Sequence, residues 1–252
     1  KNLLSMSAKE IRTIRGNKIS MIFQDPMTSL NPFLRISTQM TETIVLHQGL
    51  GKKEAREKAI EMLRLAGIPA PEKRIDQYPH QFSGGMRQRV MIAMSLSCNP
   101  EVLIADEPTS ALDVTIQAQI LDLMKDLTDR LGTAVILITH SLGVVAGMCD
   151  TICVMYAGRV VERGSTDDLF AGPKHPYTLG LIKSVPRLDS AHAERLYSIV
   201  GQPPNVIDLP ACCPFYPRCE KAMDACKRAY PPEADFGAGH AASCWLYSKE
   251  TR

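Results

Sequence analysis

Leu103-Ile104-Ala105-Asp106-Glu107-Pro108 sets two adjacent acids at the end of an aliphatic run. A buried strand of that kind presents both carboxylates at the carboxyl edge of a sheet, where α/β proteins place ligands. One acid can hold Mg²⁺, directly or through water, while its neighbour polarises an attacking water. An Asp-Glu pair by itself is usually a solvated loop feature; the strand before it is what points to chemistry. Upstream, Phe82-Ser83-Gly84-Gly85-Met86 opens a helical stretch. A Ser-Gly-Gly turn there exposes backbone N–H groups and a hydroxyl at the positive end of a helix, which suits phosphate. The plain structural alternative is a serine-capped helix entry. His140 follows a second aliphatic run and, taken alone, would ordinarily be structural.

The elements that must hold these residues follow from periodicity. Lys18–Phe23 reads as a buried strand that ends in a turn at Gln24-Asp25-Pro26. From Ile36 to Ala66 the pattern is helical, with Ala55, Ala59, Met62, Leu63 and Ala66 on one face. Pro69, Pro71 and Pro79 then predict loop, and a helix from Met86 to Ser97 stops at Asn99-Pro100. Val102–Ala105 and Ala134–Thr139 are expected to be buried strands. Between them Asp113 would cap a helix whose face is Ile116, Ile120, Leu123 and Leu127. A helical stretch covers Leu142–Met148, and Thr151–Tyr156 with Arg159–Glu162 forms a hairpin about Ala157-Gly158. Strands alternating with helices predict an α/β core with a mainly parallel sheet. After Phe170 prolines and cysteines accumulate, which places a boundary near residue 172.

Composition narrows the classes. The 252 residues carry 29 basic and 27 acidic side chains, a net charge of +2, which argues against a dedicated nucleic-acid binder. No apolar run approaches membrane-spanning length, and Lys1–Ser5 lacks the apolar core of a secretory signal, so a cytosolic setting is expected. Of eight cysteines, Cys98, Cys149 and Cys153 sit in apolar stretches as small hydrophobes. Cys212, Cys213, Cys219, Cys226 and Cys244 crowd the tail, where the choice is disulfides, metal or coincidence; a cytosolic setting disfavours the first.

Together these residues resemble the nucleotide-binding subunits of ATP-binding-cassette (ABC) transporters, in the family's motif order from Gln24 to His140. Gln24 matches the Q-loop glutamine, Ser83-Gly84-Gly85 the signature motif and Asp106-Glu107 the Walker B pair. Ser110-Ala111-Leu112-Asp113 matches the D-loop, and His140 the switch histidine. The resemblance implies that Gln24 and Asp106 serve Mg²⁺, that Glu107 activates water and that His140 contacts the γ-phosphate of ATP. Ser83 and Gly85 would close over ATP held by a facing subunit, and Gly84 and Asp113 are also implied to bind nucleotide. Phe82 and Met86 depart from the Leu and Gln usual in the wider family. No glycine-rich phosphate loop of the Walker A kind occurs in the sequence. The fold expected is therefore a P-loop ATPase core without its N-terminal part, with a helical signature subdomain and a Cys-rich C-terminal extension. The expected division is 1–172 for the partial ATPase domain and 173–252 for the extension, and the chain alone is not expected to turn over ATP.

Phe23–Pro32, Tyr78–Met86 and His175-Pro176-Tyr177-Thr178 are similar to segments of dipeptide and oligopeptide importers, a branch shared with nickel importers. What that implies is an ATPase driving peptide import from the cytoplasmic face of the membrane. Its partners would be a paralogous ATPase subunit in a heterodimer, two permeases and, indirectly, a solute-binding protein, with no nucleic acid. The alternative of another class is a soluble cassette ATPase acting on nucleic acid or ribosomes. Cys213, Cys219, Cys226 and Cys244 follow the branch's cysteine pattern, which implies a [4Fe–4S] cluster. Zn²⁺ is the alternative, disfavoured by gaps of five, six and seventeen residues that lack Cys-x₂-Cys pairs.

Overall fold

The computed structural model describes residues 2–25, 29–110, 112–185 and 197–248. Two compact units divide the chain, Lys1–His140 and Ser141–Arg252. The compositional change near residue 172 thus falls inside the second unit.

In the first unit β1 (Ile19–Ile22), β2 (Val102–Asp106) and β3 (Ala134–Ile138) form a parallel sheet in that order. The register sets Ile22 beside Ala105 and Asp106 beside Ile138, so one sheet edge collects the chain leaving all three strands. Parallel strands need crossovers, and helices supply them. α2 (Ile36–Gln48), α3 (Lys52–Leu65), α4 (Pro71–Arg74) and α5 (Gly84–Leu96) lie between β1 and β2; α6 (Val114–Leu131) lies between β2 and β3. Ahead of them stands α1 (Ala8–Ile14). Met40, Ile44, Ala59, Leu63, Ile92 and Leu96 are fully buried and form the apolar faces of α2, α3 and α5. Gly49 (φ +65°) and Gly132 (φ +66°) end α2 and α6 in the left-handed conformation that glycine adopts without steric cost.

Two expectations are corrected here. Pro71 opens a helical turn instead of loop, because the first helical position has no use for the N–H that proline lacks. β3 is not buried: it is the outer strand of the described sheet, and Ile136 and Ile138 stand about half exposed.

The second unit begins with α7 (Leu142–Met148) and is built on the hairpin of β4 (Thr151–Tyr156) and β5 (Arg159–Ser165). Ala157 (φ +48°) and Gly158 (φ +76°) make its two-residue turn with both φ positive, the geometry that matches strand twist. α8 (Thr166–Ala171), α9 (Pro176–Ser184) and α10 (Asp224–Arg228) follow, with β6 (Glu233–Asp235) and β7 (Ala241–Ser243). The sheet order is β4-β5-β7-β6, all antiparallel, so the tail returns to pair with the hairpin. Ile152, Val154, Tyr156, Val161 and Leu169 pack with Phe215, Cys213 and Cys226. Tyr156 meets Phe215 edge-on, with ring centroids 5.2 Å apart.

His175 caps α9, its Nδ1 accepting from the Tyr177 N–H at 3.1 Å. Burial pushes its pKa down from 6.5 to about 4, against the opposing pull of Glu162. The unfolded chain therefore binds a proton near pH 6.5 that the folded chain refuses until about pH 4. Stability falls as pH drops through that window, by up to about 3 kcal/mol. His175→Asn keeps a capping acceptor and removes the titration. Melting temperatures measured between pH 7 and 5 should slope less steeply in this variant; an unchanged slope would show that His175 does not carry the effect.

Candidate functional site

β2 delivers Asp106 and Glu107 to the sheet edge. Glu107 adopts φ +43°, an uncommon left-handed conformation for a residue with a side chain. Three bonds hold it there. Its N–H donates to the Ile138 carbonyl of β3 at 2.9 Å, and its carbonyl accepts from the Ser110 N–H at 3.3 Å and hydroxyl at 3.1 Å. The turn aims its carboxyl group at two side chains from the neighbouring strand ends. Gln24 Nε2 donates to Glu107 Oε2 at 3.1 Å, and His140 Nδ1 lies 2.9 Å from Glu107 Oε1. The parallel register makes this meeting possible, since β1, β2 and β3 all end at one edge.

His140, with the Gln24 amide and the Ser110 hydroxyl adding to it, holds the Glu107 carboxyl below its ordinary range. Glu107 is thus kept ionised, and its two hydrogen bonds hold the carboxylate in a fixed direction at the edge, able to orient a water. The His140 ring is largely exposed and can reach a ligand at the edge. Asp106 ends β2 one residue earlier, at the same edge.

The remaining candidates lie nearby in sequence but have local partners. Ser83 caps α5, accepting from the Met86 N–H at 3.4 Å. Space around Gly84 is open, while a Cβ on Gly85 would stand 3.0 Å from Ile116 Cγ2, a tight contact that the Ile116 side chain would have to yield to. Asp113 caps α6 as expected, its Oδ1 accepting from the Ile116 N–H at 3.0 Å. Pro26, Met27 and Thr28 of the Gln24 loop, and Ala111 of the loop before α6, lie outside the described residues.

Cys213, Cys226 and Cys244 are buried and Cys219 is partly so. The thiols of Cys213 and Cys244 are pushed up to about 11, chiefly by burial, with smaller contributions from Cys219 and Cys226 on Cys213 and from Cys213, Cys219 and Cys226 on Cys244. Cys219 is raised by burial too. The four thiols therefore lie within electrostatic reach of one another. Among the described residues, however, no three or more Cys, His, Asp or Glu side chains are drawn into a ready metal-ligating set.

Two features escaped sequence reading. Glu162, about 1% exposed, accepts from the N–H groups of Lys174 (2.7 Å) and His175 (2.9 Å) and pairs with His240 Nε2 at 2.8 Å. Gln88, equally buried, donates to the Pro108 carbonyl at 2.5 Å. A polar residue inside a helix or strand pattern carries no sequence mark of its distant partner.

Comparison with known proteins shows the family. The profile of the ABC transporter family matches residues 3–110, and that of the "Oligopeptide/dipeptide transporter, C-terminal region" matches residues 161–226. The chain is 54% identical over 245 residues to the oligopeptide transport ATP-binding protein OppD of Salmonella typhimurium, covering 97% of this chain and 72% of that protein. It is 54% identical over 246 residues to the dipeptide transport ATP-binding protein DppD of Bacillus subtilis, covering 98% and 73%. A solved dimeric ATP-binding cassette, in a post-hydrolysis state with ADP and Pi, superposes with a TM-score of 0.56 at 30% identity. That match covers 64% of this chain and 68% of the other. The chain belongs to the ATP-hydrolysing, ATP-binding subunits of ABC transporters, in the branch that carries the oligopeptide/dipeptide transporter C-terminal region.

Proposed function

We propose that, in the assembled transporter, ATP is hydrolysed at the edge formed by Gln24, Asp106, Glu107 and His140, and that this drives import of di- or oligopeptides. The observation that carries the site is the convergence of Gln24 and His140 on one carboxyl group. Glu107 accepts the proton of the attacking water, Gln24 and His140 fix its direction, and His140 meets the γ-phosphate. Mg²⁺, held by Asp106 and Gln24, would supply charge neutralisation at the β- and γ-phosphates. Asp106 and the Gln24 amide are oxygen donors at adjacent strand ends, the ligand type such a cation takes. Ser83 and Gly85 close over the nucleotide of a facing, paralogous subunit, and Gly84 and Asp113 also bind nucleotide. The ATPase domain is read as 1–172, with a helical signature subdomain, and the Cys-rich extension as 173–252. Without a glycine-rich phosphate loop, these residues by themselves are not expected to turn over ATP.

Peptide is the favoured cargo because the relatives OppD and DppD are named oligopeptide and dipeptide transport proteins. Two permeases and a solute-binding protein complete the assembly, with the ATPase peripheral on the cytoplasmic face. Among the described residues no helix is long and apolar enough to cross a membrane. A strain lacking its peptide-import ATPase, and requiring an amino acid supplied as a tripeptide, should regain growth when given the complete subunit with its permeases. Restored nickel uptake without restored growth would assign the cargo to nickel instead.

The cysteine tail is read as a structural [4Fe–4S] site on Cys213, Cys219, Cys226 and Cys244. Four thiols fit the donor set of a cluster, and their mutual electrostatic reach supports it. Ligating geometry is not among its supports. A bound cluster would cross-link a tail poor in aliphatic residues. Anaerobically purified protein should contain iron and sulfide, and Cys219→Ser should lose both. Stoichiometric zinc, or no metal, decides against the cluster.

A further inference from the structure

Gln88 lies in α5, five positions beyond Ser83, on the face turned into the fold. A buried amide is costly unless it is hydrogen-bonded. Its partner is not a neighbour in the helix but the carbonyl of Pro108, the residue immediately after Glu107. Glu107 itself is held in a left-handed conformation that side chains disfavour by about 1–2 kcal/mol, so the turn persists only if its surroundings hold it. Its N–H and carbonyl are fixed by Ile138 and Ser110. Gln88 fixes the next peptide group along.

The same helix also grips the far side of this loop. Gly85 seats against Ile116 in the first turn of α6, and Arg89 Nη2 donates to Gln119 Oε1 at 3.4 Å. α5 thus holds both ends of the segment running from Glu107 to α6, through side chains five and six positions beyond Ser83.

We propose that Gln88 is a positioning residue that ties the helix opened by Ser83-Gly84-Gly85 to the loop carrying Glu107 of the same chain. A phosphate seated at the start of α5 would then move or steady Glu107 of its own subunit through one hydrogen bond. This rests on the reading of Glu107 as the water-activating base. Gln88 touches no substrate, so its removal should slow the chemical step without weakening nucleotide binding.

The test uses the complete subunit assembled with its permeases and measures ATP hydrolysis. Gln88→Met keeps the length and burial of the side chain but cannot donate. kcat should fall about tenfold, the effect of one misplaced or lost oriented hydrogen bond, with KM for ATP within about twofold. Gln88→Glu can donate to the Pro108 carbonyl only as the neutral acid, which burial favours. Its activity relative to the parent should therefore rise as pH is lowered from about 8 to about 6. A purely structural glutamine would not produce that profile. Parental kcat in Gln88→Met, a flat relative profile in Gln88→Glu, or loss of assembly in both variants overturns the proposal. Glu107→Gln run alongside separates the two claims. If that variant hydrolyses ATP normally, the reading of Glu107 fails. If it is inactive while Gln88→Met is normal, only the positioning role fails.

Discussion

Glu107→Gln in the complete, assembled subunit is expected to lower ATP hydrolysis by about a hundredfold or more while nucleotide binding and dimer closure persist. The magnitude is that of removing a positioned general base. Glutamine has the same shape and can keep the left-handed turn, because the bonds to Ile138 and Ser110 are made by backbone groups. What is lost is the charge that His140 and Gln24 stabilise. Phosphate release should collapse at saturating ATP, and ATP should instead accumulate on a closed dimer. Asp106→Asn should differ in kind, raising the Mg²⁺ concentration needed for half-maximal rate. A parental rate in Glu107→Gln would mean that another group activates water.

Glu162→Ala should be the most disruptive single change in the second unit. Its carboxyl group joins β5 to the start of α9 through two backbone N–H groups and to the loop before β7 through His240. Truncation leaves the buried His175 N–H and His240 Nε2, and the part-buried Lys174 N–H, without their acceptor, at about 1–3 kcal/mol per buried group with partial relaxation. A loss of about 3–5 kcal/mol is expected, the scale seen when one partner of a buried pair is removed. Trp245, the single tryptophan, lies in this unit and can report denaturant unfolding by fluorescence. The exposed Arg163–Glu233 pair on the same sheet is the control. Glu233→Ala should cost no more than about 1 kcal/mol, since exposed ion pairs contribute little. Equal effects of the two changes would show that burial of Glu162 is not what matters.

Local signals made much of this legible. Ser83 and Asp113 stand directly before their helices, Asn99-Pro100 ends α5, and Ala157-Gly158 marks a tight turn. The strands that carry Gln24, Glu107 and His140 are aliphatic runs, so their order and type could be read, and parallel pairing then brings their ends together. Burial of β3 could not be read the same way. An aliphatic run looks alike at the centre and at the edge of a sheet, and Ile136 and Ile138 proved half exposed.

Long-range polar pairs were invisible for a different reason. Glu162 and His240 are 78 positions apart, and neither sits in a recognisable pattern. Gln88 resembles an ordinary helix-surface residue until Pro108 is placed beside it. β7 is the three-residue run Ala-Ala-Ser, too short and too plain for periodicity to mark as a strand. Its pairing with β5 is a tertiary fact.

If ATP hydrolysis at Glu107 drives peptide import, reconstituted transport should show it directly. The complete subunit, its paralogue and both permeases would be reconstituted in vesicles with Mg-ATP on the cytoplasmic side and a peptide-loaded binding protein on the other. Phosphate release and labelled peptide transfer would be followed together. Loaded binding protein should accelerate phosphate release, peptide should cross only with ATP, and Glu107→Gln should abolish both. Phosphate release indifferent to peptide, or stimulated instead by DNA or ribosomes, would contradict it.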